Sequence, residues 1–89
     1  MELKDTIELM NSSDYKDRFK AEYYQLKIRY EKLHAMLMKY HAGLQSGDVA
    51  KFLGFEPTCS ISVLQTQEMY MKQYLDQLGI RAVIEGVEL

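Results

Sequence analysis

The sequence lacks most of the features that catalysis, metal binding or membrane insertion would require. Its 89 residues include one proline, no tryptophan and a single cysteine, Cys59. One cysteine excludes an internal disulfide and is typical of a reducing compartment. No apolar run approaches the ~20 residues of a membrane-spanning helix. Because there is also no phosphate-binding glycine loop, nucleophile motif or close carboxylate pair, we expect no enzyme, no cofactor and no membrane association.

The charge is small in total but unevenly distributed. A net charge of −2 argues against a general DNA or RNA binder. Residues 14–41 carry seven basic and four acidic residues, whereas the segments on either side are acidic. A basic, tyrosine-rich segment favours an anionic ligand or an acidic partner surface. The alternative is that the basic segment meets the acidic segments within an assembly.

The spacing of apolar residues predicts an all-α chain forming one domain over residues 1–89. We expect Gly43 to end the first long helix and Thr58 or Cys59 to cap the second. Two long helices joined by a connection of ~15 residues form an antiparallel hairpin. The predicted segments are a short N-terminal helix and break (1–13), a long helix (14–42), a connection (43–57) and a second long helix (58–86).

Both long helices carry polar residues on a row that a simple packed helix would keep apolar. Phe19, Leu26, Leu33 and Tyr40 repeat every seven residues, and the row beside them contains Tyr15, Glu22, Arg29 and Met36. The matching row of the second helix is Gln67, Tyr74 and Arg81. An ion on a packing surface costs stability unless it is paired or functional. Either this row binds a ligand, or Glu22 and Arg29 form an ion pair between protomers.

A hairpin of this size buries little surface, so we expect a homo-oligomer. The apolar residues left outside the heptad rows are Tyr23, Tyr24, Ile28, Tyr30, Met69, Tyr70, Ile84 and Val87.

Binding chemistry is better represented than catalytic chemistry. Tyr15 offers a ring for stacking, and Arg29 and Lys32 offer positive charge for phosphates. Tyr15 and Arg29 are ~21 Å apart on one helix, which favours a site shared between protomers. The competing interpretations are that Tyr15 only stabilises the helix start and that Arg81 extends to solvent at its helix end. His34 and His41 are seven residues apart, so we expect no metal site.

The order of these residues resembles the small phage anti-CBASS sponge proteins. The resemblance covers about residues 14–82 and rests on Tyr15, Arg18, Glu22, Leu26, Arg29, Lys32 and Leu33, then Phe55, then Leu64, Gln67, Met71, Tyr74, Leu78 and Arg81.

That resemblance implies helical hairpins, assembled as hexamers in the host bacterial cytoplasm, that bind cyclic di- and trinucleotide messengers without cleaving them. It implies that Tyr15 stacks on a base and that Arg29, with Lys32 as the alternative, contacts phosphate. Arg18 and Arg81 are further candidate ligand residues. The family has a lysine in this region. If Arg29 is its counterpart, the change to arginine keeps the charge but alters the donor geometry.

The residues also allow two other hypotheses. In the first, the chain is a helical inhibitor that docks on a protein. In the second, it is a structural oligomerisation module without a small-molecule ligand. The first requires a specific protein partner, and the second requires that Arg29 serve assembly alone.

Overall fold

The computed structural model describes residues 1–89 and contains helices without strands, which confirms the all-α class. None of the helices combines the length and apolar content that a membrane-spanning segment requires. The molecule is elongated, with extents of 49 × 24 × 19 Å. A 3₁₀ turn over Leu3–Thr6 leads into α1 (Ile7–Met10), followed by α2 (Tyr15–Ser46), α3 (Val49–Leu53) and α4 (Ile61–Glu85).

The two long helices begin at side-chain caps. The Asp14 carboxylate accepts the Lys16 backbone N–H at 2.9 Å, which satisfies one of the free donors at the start of α2. The Ser60 hydroxyl accepts the Val63 N–H at 3.4 Å at the start of α4. The expectation that Thr58 or Cys59 caps this helix is therefore wrong, because Ser60 is the residue with extended backbone directly before the first helical turn.

Helix α2 does not end at Gly43, and that expectation is also wrong. The helix continues to Ser46 and ends at Gly47, whose φ of 80° is the left-handed conformation that favours glycine. Gly43 is buried where α3 begins, and a Cβ built on it would lie 2.5 Å from the Cα of Val49. Gly43 therefore permits the backbone at the start of α3 to approach α2, and it does not end the helix.

The hydrophobic core lies between the beginning of α2 and the end of α4. Phe19, Leu78, Ala82 and Val87 form it. Val87 was expected to be left over for self-association, but it is only 6% exposed. Gly86, with φ of 71°, reverses the chain after α4, and the Val87 N–H then donates to the Ala82 carbonyl at 2.9 Å. This C-terminal turn directs the Val87 side chain back onto Phe19.

Hydrogen bonds between α2 and α4 connect residues in opposite order along the two helices. They join Tyr15 to Glu85, His34 to Glu68 and His41 to Gln65. Two members of each polar row also meet across this contact, since Tyr15 bonds to Arg81 and Glu22 bonds to Tyr74.

A matched pair of glycine substitutions tests the role of Gly43. Gly43→Ala should lower the free energy of unfolding by about 1–3 kcal/mol, because the added methyl group collides with the backbone of α3. Gly79→Ala should leave stability unchanged or raise it by up to ~1 kcal/mol, since Gly79 lies within α4 with no atom near its built Cβ. Urea unfolding followed by circular dichroism measures both. Equal effects of the two substitutions would contradict the close approach.

Candidate ligand-binding site

Tyr15, Arg81 and Glu85 form a closed hydrogen-bonded group, called here the Tyr15 cluster. The Tyr15 hydroxyl donates to Glu85 Oε1 at 2.8 Å and accepts from Arg81 Nη2 at 2.7 Å. Arg81 Nε donates to Glu85 Oε2 at 3.0 Å, which closes the ring of contacts. The Tyr15 side chain is thus fixed at its hydroxyl end, while the residue remains 49% exposed.

The helix geometry and the core position this cluster. Arg81 and Glu85 are four residues apart and so lie on one face of α4, opposite the first turn of α2. The Arg81 guanidinium carbon lies 5.0 Å from the centre of the Phe19 ring, within cation–π distance. The Tyr15 ring meets the Phe19 ring edge-on at 6.3 Å between centroids. Phe19 therefore supports both side chains from the core side.

The hydrogen bonds shift the ionisation of all three groups in the cluster. Donation to Glu85 raises the pKa of the Tyr15 phenol above 10.0, its ordinary value. Hydrogen bonds from Tyr15 and then from Arg81 lower the pKa of Glu85 below 4.5. The bond to Glu85 raises the pKa of Arg81. At neutral pH the phenol is therefore neutral, and Arg81 and Glu85 are both charged.

A second group of polar residues, the arginine cleft, lies along the same contact nearer the middle of α2. It is an open cavity of about 280 Å³ lined by Met10, Arg18, Ala21, Glu22, Gln25, Leu26, Arg29 and Tyr74. Arg18 Nη1 donates to the Ser12 carbonyl at 2.9 Å, which anchors one guanidinium at the rim. Arg29 is exposed and makes no hydrogen bond or ion pair within the chain.

The carboxylate in the arginine cleft is bound to a phenol. Glu22 accepts a hydrogen bond from the Tyr74 hydroxyl, and this bond raises the pKa of Tyr74. Within one chain, Glu22 is therefore engaged by α4 and does not neutralise Arg29. The cleft consequently presents one cation with no protein partner.

The structure divides the five sequence-predicted ligand residues into three places. Tyr15 and Arg81 lie in the Tyr15 cluster, and Arg18 and Arg29 line the arginine cleft. Lys32 lies apart from both, in a cavity of about 380 Å³ beside the N-terminal segment. Arg18, and not Lys32, is thus the basic residue that shares a cavity with Arg29.

Sequence reasoning missed Glu85, which completes the Tyr15 cluster. The signal for it was present, because Glu85 follows Arg81 by one helical turn, a spacing at which opposite charges meet.

The two histidines also contact α4 and do not face each other. His34 Nδ1 is 2.9 Å from Glu68 Oε2, and its ring stacks on Tyr30 with an interplanar angle of 15°. His41 Nε2 is 3.2 Å from the Gln65 amide nitrogen. No cluster of three or more histidine, cysteine or acidic residues has a geometry suited to a metal ion.

A family model described as Sequestin matches residues 13–84. The chain belongs to the Sequestin family. The match confirms the resemblance to anti-CBASS sponge proteins drawn from the sequence, and it spans both the Tyr15 cluster residues Tyr15 and Arg81 and the arginines of the cleft. Comparisons with curated proteins and with solved structures gave no significant match.

The ionisation of the Tyr15 cluster predicts how its contribution to stability depends on pH. The raised phenol pKa means that the contribution is complete below pH 10.0 and is lost as pH rises through the folded-state value. The lowered pKa of Glu85 means that the contribution is complete above pH 4.5 and is lost as pH falls through the folded-state value. The stability difference between the wild type and Tyr15→Phe should therefore be constant between these limits and decrease outside them. Urea unfolding of both proteins across the pH range measures it, and a difference independent of pH throughout would contradict the hydrogen-bonded ring.

Proposed function

We propose that this Sequestin-family chain is a non-catalytic sponge that sequesters cyclic di- and trinucleotide messengers and so blocks bacterial antiphage signalling. The observation that carries the proposal is the family match over residues 13–84, which includes all five candidate ligand residues. A sponge of this kind acts on messengers in the host bacterial cytoplasm and needs no cofactor.

The chemistry of the two polar groups fits a flat, phosphate-bearing ligand. Stacking of a base on an aromatic ring contributes roughly 1–3 kcal/mol, and the half-exposed Tyr15 ring is available for it. A guanidinium binds phosphate oxygens through charge-assisted hydrogen bonds. Arg29, which has no partner within the chain, is the natural phosphate ligand, and Arg18 lies in the same cleft. Lys32 contributes charge from a neighbouring strip of α2.

The separation of these groups favours a ligand bound between protomers. Tyr15 and Arg29 are ~21 Å apart along α2, too far for one small ligand to reach both in one chain. We therefore propose that the helical hairpin assembles into a homo-oligomer, as a hexamer, in which Tyr15 of one protomer approaches Arg29 of another.

An apolar surface on α4 supports self-association. It faces away from the Leu78 and Ala82 side of the helix, and its members are exposed by 49% to 84%. These residues are Met69, Tyr70, Ile80, Val83 and Ile84. Large apolar patches of this kind are typical of interfaces.

The same surface favours a second candidate function, a helical inhibitor that docks on a protein. This alternative requires a specific protein partner and no affinity for nucleotides. A purely structural oligomer requires that Arg29→Glu dissociate the assembly whether or not a nucleotide is present.

Binding measurements separate these functions. Tyr15→Ala and Arg29→Glu should each abolish tight cyclic-dinucleotide binding, because one removes the stacking ring and the other reverses the phosphate-binding charge. Isothermal titration calorimetry with a panel of cyclic di- and trinucleotides measures the affinity of the wild type and of each variant. Lys39→Glu is the matched control, since it makes the same charge change at an exposed position of α2 outside both polar groups. If the wild-type protein binds no member of the panel, the proposed function is wrong.

The assembly is tested by native mass spectrometry. Val83→Glu should reduce the oligomer to smaller species, since it places a charge at the most exposed apolar residue of α4. Val63→Glu adds the same charge near the other end of the helix and should leave the oligomer intact. Dissociation by Val63→Glu alone would place the interface elsewhere on the helix.

A further inference from the structure

The hydroxyl of Tyr15 is engaged in a way that stacking does not require. A base stacks on the face of the ring, and phenylalanine offers a similar face. Yet the Tyr15 hydroxyl makes two hydrogen bonds, at 2.8 Å to Glu85 and at 2.7 Å from Arg81. Both partners come from the last turns of α4, distant in sequence from Tyr15.

We infer that Arg81 and Glu85 are positioning residues, which hold the Tyr15 ring through its hydroxyl in the orientation that receives a base. The inference rests on the proposed function, in which Tyr15 is the stacking residue. Holding a side chain in its bound orientation strengthens binding, because less conformational freedom is then lost when the ligand arrives.

The contacts of Arg81 favour positioning over direct phosphate binding. Its Nε and Nη2 are engaged by Glu85 and Tyr15, and its guanidinium lies on the Phe19 ring. The adjacent carboxylate of Glu85 balances its charge, which reduces its attraction for a phosphate. Arg29, by contrast, has no acidic partner within the chain. The two arginines therefore have different roles, although both lie on the polar rows of the helices.

The C-terminal end of α4 is held in place by its own contacts, so Arg81 and Glu85 can in turn orient the Tyr15 side chain. Gly86 ends the helix in the left-handed conformation, and Val87 then packs in the core with Phe19. Lys16 Nζ also lies 3.4 Å from the Gly86 carbonyl, a further contact between the start of α2 and the end of α4. The orientation of the stacking ring is thereby linked to the packing of the C-terminal turn.

A double-mutant cycle on the full-length protein tests the inference. Tyr15→Phe and Glu85→Ala should each weaken cyclic-dinucleotide binding about fivefold to tenfold, the size expected from lost hydrogen bonds. The double variant should be no weaker than either single variant, because each change removes the same contact. Independent effects would instead multiply to roughly 25-fold to 100-fold. The cycle is repeated with Arg81→Gln in place of Glu85→Ala, and calorimetry provides the dissociation constants.

Glu88→Ala serves as the charge control for Glu85→Ala. It removes one negative charge from an exposed residue that forms no ion pair in the structure. Its affinity relative to wild type therefore measures the effect of the lost charge alone. Multiplicative losses in the cycle would overturn the inference, as would a Tyr15→Phe variant that binds as well as wild type. A loss with Arg81→Gln that persists undiminished in the Tyr15→Phe background would make Arg81 a direct phosphate ligand and overturn its positioning role.

A ligand-free measurement distinguishes failure of this inference from failure of the proposed function. NMR titration of protein carrying ¹³C-labelled tyrosine follows the Tyr15 phenol, whose signal is assigned by its absence in Tyr15→Phe. Its pKa should be above the ordinary value in the wild type and return toward it in Glu85→Ala. An ordinary pKa in the wild type would overturn the positioning contacts even if nucleotides bind. A raised pKa with no binding of any cyclic nucleotide would overturn the proposed function and leave the ring-holding contacts established.

Discussion

The packing of Phe19 against Leu78, Ala82 and Val87 holds the start of α2 against the end of α4, and the candidate site depends on it. Only nine of the 89 residues are buried, so few other contacts fix how the two long helices meet. These four apolar residues therefore bring the Tyr15 hydroxyl within hydrogen-bond distance of Arg81 and Glu85 on α4. A short core at one end of a long helix pair is sufficient for this, because each helix is itself rigid over several turns.

The charged residues on the helix contact fall into two classes once their partners are known. Arg81 pairs with Glu85 on its own helix and with Tyr15 on α2. Glu22 accepts a hydrogen bond from Tyr74 on α4. Arg29 has no partner within the chain. An unpaired cation beside a cleft is the feature that a phosphate ligand satisfies, whereas a paired one mainly orders its neighbours. The binding proposed for this chain therefore centres on Arg29 and on the ring of Tyr15.

The connection between α2 and α4 shows why local sequence rules failed at its two ends. Gly43 has the composition signal of a helix end, but its role is to let α3 approach α2. Thr58, Cys59 and Ser60 stand in succession, and the helix begins after Ser60, whose hydroxyl accepts the Val63 N–H. At Gly43 the contact with the backbone of Val49 in α3 decided the outcome, and that contact is not visible in the local sequence.

The sequence by itself determined the helices, the polar rows along them and the family, since these depend on residue spacing within each segment. Heptad spacing was enough to place Tyr15, Arg29 and Arg81 on the contact between helices. Only the tertiary structure decided which of these residues meet. The register between α2 and α4 brings Tyr15 to Arg81 and Glu85 and brings Arg18 into the cleft with Arg29, while Lys32 lies elsewhere. That register follows from the packing of Phe19 and the turn at Gly86, and neither can be read from the periodicity of a single helix.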